Sequence, residues 1–162
     1  MSAVLTRLRP AVVWLVALTV VAYLPSFGAG FLNWDDPWLV ENNPYYQADG
    51  LLFPLSAFTD LSRATRLVFG AEYLPLRDLF YWLETRLFGI WAPGMHVVSV
   101  LVYTVSVLLV RGTLVRTFGA GLAVEVASLL FALHPVHAES VAWIAGQKDL
   151  LALLFVAGAL FT

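Results

Sequence analysis

Cysteine and charged residues are what this sequence has least of. None of its 162 residues is cysteine, which excludes a disulfide framework and a thiolate metal site and leaves the cellular compartment open. Charged residues make up 12% of the chain, against roughly a quarter in an ordinary soluble domain. The net charge of −2 is too small to indicate a nucleic-acid partner.

The chain is instead rich in apolar and aromatic residues. Hydrophobic residues account for 60% of the chain and the mean hydropathy is +0.82, values typical of an integral membrane protein. Six Trp and six Tyr suit a protein with much surface at the level of the lipid headgroups. The composition therefore predicts an all-α integral membrane protein.

Four apolar segments predict membrane-spanning helices, at about residues 11–27, 95–110, 119–133 and 150–162. Glu125 interrupts the third, and the fourth runs to the last residue without a flanking charge, which favours the front piece of a longer protein. A secretory signal peptide competes for the first segment, because basic residues precede it and small residues follow it. The length of that segment favours an uncleaved span.

Residues 28–93 predict a long first loop that does not cross the membrane. It is too polar to span and too rich in Leu and aromatic residues for a flexible linker. From residue 76 to 87 apolar side chains recur at helical spacing, with most charged ones off that face, which indicates an amphipathic helix in the membrane interface. Residues 51–58 are a candidate for a second, shorter helix of this kind.

The distribution of arginine predicts the topology. Arg7, Arg9, Arg111 and Arg116 fall in the N-terminal tail and after the second span, and the positive-inside rule assigns both places to the cytoplasm. The first loop, the segment around residues 134–139 and the pair at 148–149 then share the extracytoplasmic face. Two polar clusters that are distant in sequence are thus predicted to lie on one side.

Asp35 and Asp36 follow the first span directly. Ionised carboxylates are costly near hydrocarbon, so a pair at the membrane surface favours a chemical role. The alternative is that they only end a helix and begin a loop. The turn expected at Asn42-Asn43-Pro44 folds the chain back next to this pair.

A second polar cluster contains His134, His137 and Glu139. Two histidines three residues apart share a helix face and could bind zinc, although without another fixed ligand the signal is weak. A structural role is equally open, since Pro135 suits a first helical position and an acidic residue suits a helix N-terminus. Lys148 and Asp149 either form a juxtamembrane pair or offer a cation and a carboxylate to a phosphate.

These segments together resemble a known family. The run Phe31-Leu32-Asn33-Trp34-Asp35-Asp36 with Asn42-Asn43-Pro44, the element Tyr73-Leu74-Pro75-Leu76, and the stretch from Phe131 to Ile144 continuing as Gly146 to Ala152 are similar to motifs of one group. That group is the transmembrane and tetratricopeptide-repeat O-mannosyltransferases and their bacterial relatives, in the GT-C glycosyltransferase superfamily. Order and spacing agree from about residue 14 to the end.

The resemblance implies a GT-C-like multi-spanning helical bundle with an extracytoplasmic catalytic face. It implies a polyprenyl- or dolichyl-phosphate sugar as donor and a protein hydroxyl as acceptor. Asp35 is then the expected base, with Asp36 orienting it or holding an optional divalent metal. The residues expected to bind the donor phosphate are His134, His137, Lys148 and Arg77. Glu139 is expected to position a histidine, and Asp149 has a supporting role beside Lys148.

One position departs from the family pattern, and two other functions stay open. Leu74 stands where the group often has arginine, and Arg77, one turn away, is a candidate to replace it. Four spans do not enclose a donor pocket, so we expect this piece to be inactive alone, with further spans and tetratricopeptide repeats downstream. The alternatives are a non-catalytic membrane scaffold, and a transporter in which Glu125 and the two histidines relay protons or bind metal.

Overall fold

A computed structural model describes residues 2–47 and 53–162, and within these ranges the chain is helical with no β-strand. The helices, numbered along the chain, are α1 Ser2–Tyr23, α2 Pro44–Gln47, α3 Phe53–Thr59, α4 Arg63–Val68, α5 Pro75–Phe88, α6 Ala92–Phe118, α7 Leu122–Ala132, α8 Ala138–Ala142 and α9 Gln147–Phe161. Short 3₁₀ or π turns occupy Leu24–Gly28, Pro37–Glu41, Pro135–His137 and Ile144–Gly146.

Four segments are long and apolar enough to cross a membrane, as the sequence predicts. They are Pro10–Gly28, Ala92–Phe118, Leu122–Ala142 and Ile144–Phe161. Each overlaps one predicted span, so the chain has the make-up of a multi-pass membrane protein. The helix ends differ from the predicted ones.

The largest difference is the length of α6, which continues to Phe118 instead of ending near residue 110. Arg111 does not end the helix because its guanidinium binds the Glu125 carboxylate of α7, with Nε–Oε2 and Nη2–Oε1 distances of 2.9 and 2.5 Å. The Arg116 guanidinium lies over the Phe161 ring, 4.0 Å from its centroid. The helix ends only at Gly119, whose positive φ of 80° favours glycine.

Helix α6 lies at the centre of a membrane-bundle core that α1, α7 and α9 also line. Tyr103 of α6 is fully buried there, and its hydroxyl donates to the carbonyls of Phe131 and Ala132, both at 3.1 Å. Its ring meets Tyr23 of α1 edge to face at 5.5 Å. The buried members of this core are Leu15, Tyr23, Val100, Tyr103, Val107, Ala132, Val141 and Leu150.

The first loop has a core of its own, and we call residues 29–47 and 53–91 the cap. The buried members of this second core are Leu39, Val40, Tyr46, Ala57, Phe69, Tyr81, Ala92, Met95, Ile144 and Ala145. The list includes residues from the start of α6 and from the turn before α9. The cap therefore packs on the end of the bundle where α6 begins and the 144–146 turn lies.

Helix α5 covers the residues 76–87 for which an amphipathic interfacial helix is predicted, and its polar side is turned inward. Leu76, Leu83 and Leu87 are 50%, 44% and 73% exposed, whereas Asp78 and Glu84 are buried. This is the reverse of a helix on a soluble protein and suits an apolar surrounding. The second candidate helix, at residues 51–58, overlaps α3, which begins at Phe53. Residues 51 and 52 lie outside the described residues.

Candidate functional site

Asp36 joins the cap to the segment that precedes α9. Its side chain is fully buried, and its Oδ1 accepts from the Ala145 N–H at 2.9 Å while its Oδ2 accepts from the Leu32 N–H at 2.8 Å. Burial raises the pKa of this carboxyl, and the two backbone donors and nearby His96 oppose the rise. Asp36 therefore contacts the chain between the His134–Glu139 segment and Lys148.

Asp35 has a different environment from its neighbour. Its side chain is half-buried, and within residues 10–46 and 56–162 we find no hydrogen bond or ion pair to its carboxylate. Its carbonyl accepts from the Leu39 N–H at 2.9 Å, which fixes the backbone at this residue. Since both Asp36 oxygens face backbone donors, Asp36 can orient Asp35 only through the chain between them.

Two further cap residues hold the same turn, and sequence reasoning gave neither of them a role. Tyr81 is fully buried and its hydroxyl donates to the Ile144 carbonyl at 2.9 Å. The Glu84 carboxylate accepts from Gln147 Nε2 at 3.1 Å, and burial raises the pKa of Glu84 to about 8 despite that bond. Glu84 is therefore mainly neutral at pH 7. Gln147 lies within the family motif, and this was the signal in the sequence by which it could have been found.

Arg77 lies at the centre of a buried charge cluster. Its Nε and Nη2 donate to Asp78 Oδ1 at 3.0 and 2.8 Å, and Nη2 also donates to the Phe69 carbonyl at 2.9 Å. Its Nη1 donates to Glu72 Oε2 at 2.6 Å. The other oxygen of Glu72 faces Lys148 Nζ at 3.5 Å. One exposed carboxylate thus bridges the two predicted phosphate-binding cations.

These two cations line a groove between α5 and α9, which we call the α5–α9 groove. Its volume is about 260 Å³. Leu74 and Arg77 both line it, so Arg77 reaches the same groove as the residue at position 74. The remaining lining residues are mostly apolar, and the full set is Tyr73, Leu74, Pro75, Leu76, Arg77, Lys148, Leu151, Ala152 and Phe155.

A second cavity lies where the start of the cap meets α8, and we call it the tryptophan pocket. It has a volume of about 530 Å³, and its lining residues are Ala29, Leu32, Trp34, Ala138, Glu139, Ala142 and Trp143. The Trp34 and Trp143 rings lie 6.0 Å apart with an interplanar angle of 33°. Glu139 contributes the one acidic side chain of this lining and is exposed.

The two histidines lie close to each other and line neither the α5–α9 groove nor the tryptophan pocket. Their ring centroids are 6.2 Å apart. Exposed His134 accepts from the Val136 N–H through Nδ1 at 3.2 Å, which leaves Nε2 as the nitrogen that carries the proton. His137 packs against the rings of Phe131 and Tyr103, at 4.7 and 5.4 Å.

The other predicted roles have less support in the geometry. In the described part of the chain Glu139 makes no hydrogen bond to either imidazole, and exposed Asp149 has no side-chain partner. Nor do the described residues contain a cluster of three His, Asp or Glu side chains that could hold a metal ion. The surroundings of Asp36 do not fit a divalent metal, because both of its carboxylate oxygens accept from backbone N–H groups.

Comparison with known proteins adds a family relationship to this geometry. No protein-family model and no solved structure matches the chain. It is 31% identical over 150 residues to the protein O-mannosyl-transferase F38B6.6 of Caenorhabditis elegans, a match that covers 90% of this chain and 22% of that protein. Human protein O-mannosyl-transferase TMTC4 is 33% identical over 154 residues, covering 86% of the chain and 21% of the relative.

A third relative, human protein O-mannosyl-transferase TMTC1, is 31% identical over 145 residues, which is 86% of the chain and 16% of that protein. The chain thus spans at most 22% of the length of these three relatives. The agreement nevertheless extends over most of the chain. Over the region that it covers, the chain belongs to the family of the transmembrane and tetratricopeptide-repeat O-mannosyltransferases.

Proposed function

We propose that this chain supplies part of the active site of a membrane glycosyltransferase. The enzyme transfers mannose from a polyprenyl- or dolichyl-phosphate donor to a protein hydroxyl on the extracytoplasmic face. The observation that carries the proposal is the hydrogen bond between Asp36 and the Ala145 N–H, which joins the acidic pair to the segment with Glu139 and Lys148. This contact supports a shared site in which a base, a phosphate-binding cation and an acceptor pocket act together.

Asp35 is the group we assign as general base. Its carboxylate is half-buried and free of described side-chain partners, so it can accept the proton of an acceptor hydroxyl. As that proton moves to Asp35, the acceptor oxygen bonds to the anomeric carbon of the sugar and the bond from that carbon to the phosphate oxygen breaks. The lipid phosphate leaves with the bonding electrons. Asp36 serves as a positioning residue, because it fixes the backbone beside the base.

The α5–α9 groove suits the donor. Lys148 and Arg77 offer positive charge to the departing phosphate, which gains negative charge in the transition state. Beyond them the groove is apolar, and Leu76 and Phe155 at its wall are 50% and 58% exposed. A prenyl chain that stays in the bilayer could reach the cations along this wall.

The tryptophan pocket suits the acceptor. It opens beside the Asp35-Asp36 backbone, and two indole rings give it large rigid faces on which a peptide segment can pack. Glu139 at its wall can accept a hydrogen bond from an acceptor amide or hydroxyl. The hydroxyl would then approach the anomeric carbon from the side of Asp35.

The test is sugar transfer by the protein expressed from its complete reading frame, in proteoliposomes with a radiolabelled lipid-phosphate mannose donor. We expect Asp35→Asn to lower the rate at least a hundredfold, because a general base contributes about 10²–10⁴-fold. Glu41→Gln, which removes an exposed carboxylate of the same loop, is the matched control and should keep full activity. Equal rates for the two variants would refute the assignment of the base.

Neither alternative function gains support from a specific observation. For the transporter, both oxygens of Glu125 are bound by Arg111, which leaves no free carboxylate for a proton relay. The hypothesis of a non-catalytic scaffold predicts that no substitution in the cap or before α9 changes the rate of sugar transfer. The Asp35→Asn comparison therefore separates it from the enzyme.

A further inference from the structure

Glu72 occupies the position between two cations where a bound phosphate would have to lie. Its Oε2 is 2.6 Å from Arg77 Nη1 and its Oε1 is 3.5 Å from Lys148 Nζ. Both cations line the α5–α9 groove, and Glu72 does not. The carboxylate thus reaches the cations from outside the groove and neutralises charge that a ligand inside it would use.

The exposure of the three side chains decides which of them can move. Arg77 is 2% exposed and is held by Asp78 and the Phe69 carbonyl as well as by Glu72. Glu72 is 43% exposed and Lys148 is 37% exposed. The pair of Glu72 with Lys148 is exposed on both sides and adds only about 0–1 kcal/mol, and Asp78 and the Phe69 carbonyl keep Arg77 in place without Glu72. Glu72 is therefore the member that can leave at low cost.

The local charge balance points the same way. Arg66 lies 4.0 Å from Asp78 and also interacts with Asp60, so the charge at the groove is set by Arg77 and Lys148 against Asp78 and Glu72. These charges balance while Glu72 stays in place, and one positive charge is in excess when it leaves. A phosphate in the place of Glu72 would restore the balance at the groove.

We propose that Glu72 is a displaceable internal anion that competes with a lipid-linked phosphate for Arg77 and Lys148 and so limits the affinity of the α5–α9 groove. The proposal rests on the proposed function, which assigns that groove to the donor phosphate. The ligand takes the place of the Glu72 carboxylate between the two cations, and its apolar chain lies along Leu76, Leu151 and Phe155. When product leaves, Glu72 returns to its two partners and helps to release the lipid phosphate.

The test measures binding of dodecyl phosphate to the protein in nanodiscs of zwitterionic lipid, from the rise in melting temperature with ligand concentration. Inorganic phosphate is titrated in parallel, since a site that includes the apolar wall should prefer the alkyl phosphate. Glu72→Gln keeps the size and an acceptor oxygen for Arg77 but removes the charge. We expect it to bind dodecyl phosphate about three- to tenfold more tightly than the native protein.

Two comparisons make the result specific. Glu41→Gln removes one negative charge elsewhere in the cap and should leave the affinity unchanged. In a Lys148→Met background the gain from Glu72→Gln should largely disappear, because the carboxylate then has one cation fewer to release. Ligand-free melting temperatures confirm that each variant is folded.

The outcomes separate this inference from the proposed function. If Lys148→Met weakens binding but Glu72→Gln leaves it unchanged or weaker, the phosphate site stands and the displacement by Glu72 is refuted. Equal binding by the native protein and Lys148→Met would remove the phosphate site and this inference with it. A preference for inorganic phosphate would refute the role of the apolar wall.

Discussion

The Asp36 carboxylate accepts a hydrogen bond from the backbone N–H of Ala145, 109 residues later in the chain, at 2.9 Å. Asp36 is fully buried, and its second oxygen accepts from the Leu32 N–H. Removal of this carboxylate would leave the buried Ala145 N–H in the turn before α9 and the part-buried Leu32 N–H in the cap unpaired. The docking of these two segments should therefore depend on Asp36 more than on its neighbour Asp35.

We expect Asp36→Ala to lower the free energy of unfolding by about 1–4 kcal/mol, because an unsatisfied buried donor such as the Ala145 N–H costs about 1–3 kcal/mol and the part-buried Leu32 N–H adds less. Asp36→Asn keeps one acceptor oxygen and turns an amide N–H₂ toward a donor, so its effect should be smaller but of the same sign. Melting temperature in detergent measures both. Asp35→Asn, at the half-buried neighbour, is the matched control and should melt like the native protein.

Asp36 and α6 show which features of the structure can be predicted from the sequence alone and which cannot. Hydropathy finds all four spans because long, mainly apolar segments have few other structures available. It ends α6 too early because a scale for single residues treats Arg111 as exposed charge, whereas Glu125 of another helix neutralises it. Likewise the acidic pair was visible as a pair, but the burial of one member depends on a backbone donor 109 residues away.

The outward leucines of α5 gave its position, while Glu84 and Tyr81 on its buried side received no role. Their partners are Gln147 and the Ile144 carbonyl, each 63 residues distant, and no local pattern reports such a contact. The family motif did contain Gln147, but a motif does not say whether a residue binds substrate or holds the fold. Only the contacts make that distinction.

Glu84 predicts a dependence of stability on pH. The unfolded chain loses this proton near the ordinary pKa of 4.5, whereas in the folded protein the pKa is about 8. Between these values the folded state holds more protons than the unfolded state, so the free energy of unfolding should fall as pH rises and level off above pH 8. The total change should be at most a few kcal/mol.

Glu84→Gln replaces the protonated acid with a neutral group of similar shape and should flatten that part of the curve. The measurement is the melting temperature of both proteins between pH 5 and pH 9. Buried Asp36 and Asp78 also have raised pKa values, so the difference between the two curves isolates Glu84. Curves of the same slope would contradict a proton held by Glu84.

The Arg111–Glu125 pair predicts a compensating double substitution. Glu125→Gln leaves the 8% exposed Arg111 without its ionic partner, and we expect a loss of about 1–4 kcal/mol in the free energy of unfolding. Arg111→Met with Glu125→Met removes both charges and should recover most of that loss. Unfolding by a denaturing detergent measures all three. Equal stability of the single and double variants would mean that the pair does not couple α6 to α7.

The proposed extracytoplasmic site requires that the cap and the segment before α9 face away from the cytoplasmic ends of α6 and α7. Because the chain contains no cysteine, single cysteines at exposed Ala64, Ala138 and Ala120 can report this without background labelling. In sealed cells a membrane-impermeant maleimide should label Ala64→Cys and Ala138→Cys directly. It should label Ala120→Cys, next to the basic end of α6, only after permeabilisation. Labelling of all three cysteines in sealed cells would contradict the arginine-based topology. If only one of Ala64→Cys and Ala138→Cys were labelled in sealed cells, the result would also contradict the contact of Asp36 with Ala145, on which the active-site proposal depends.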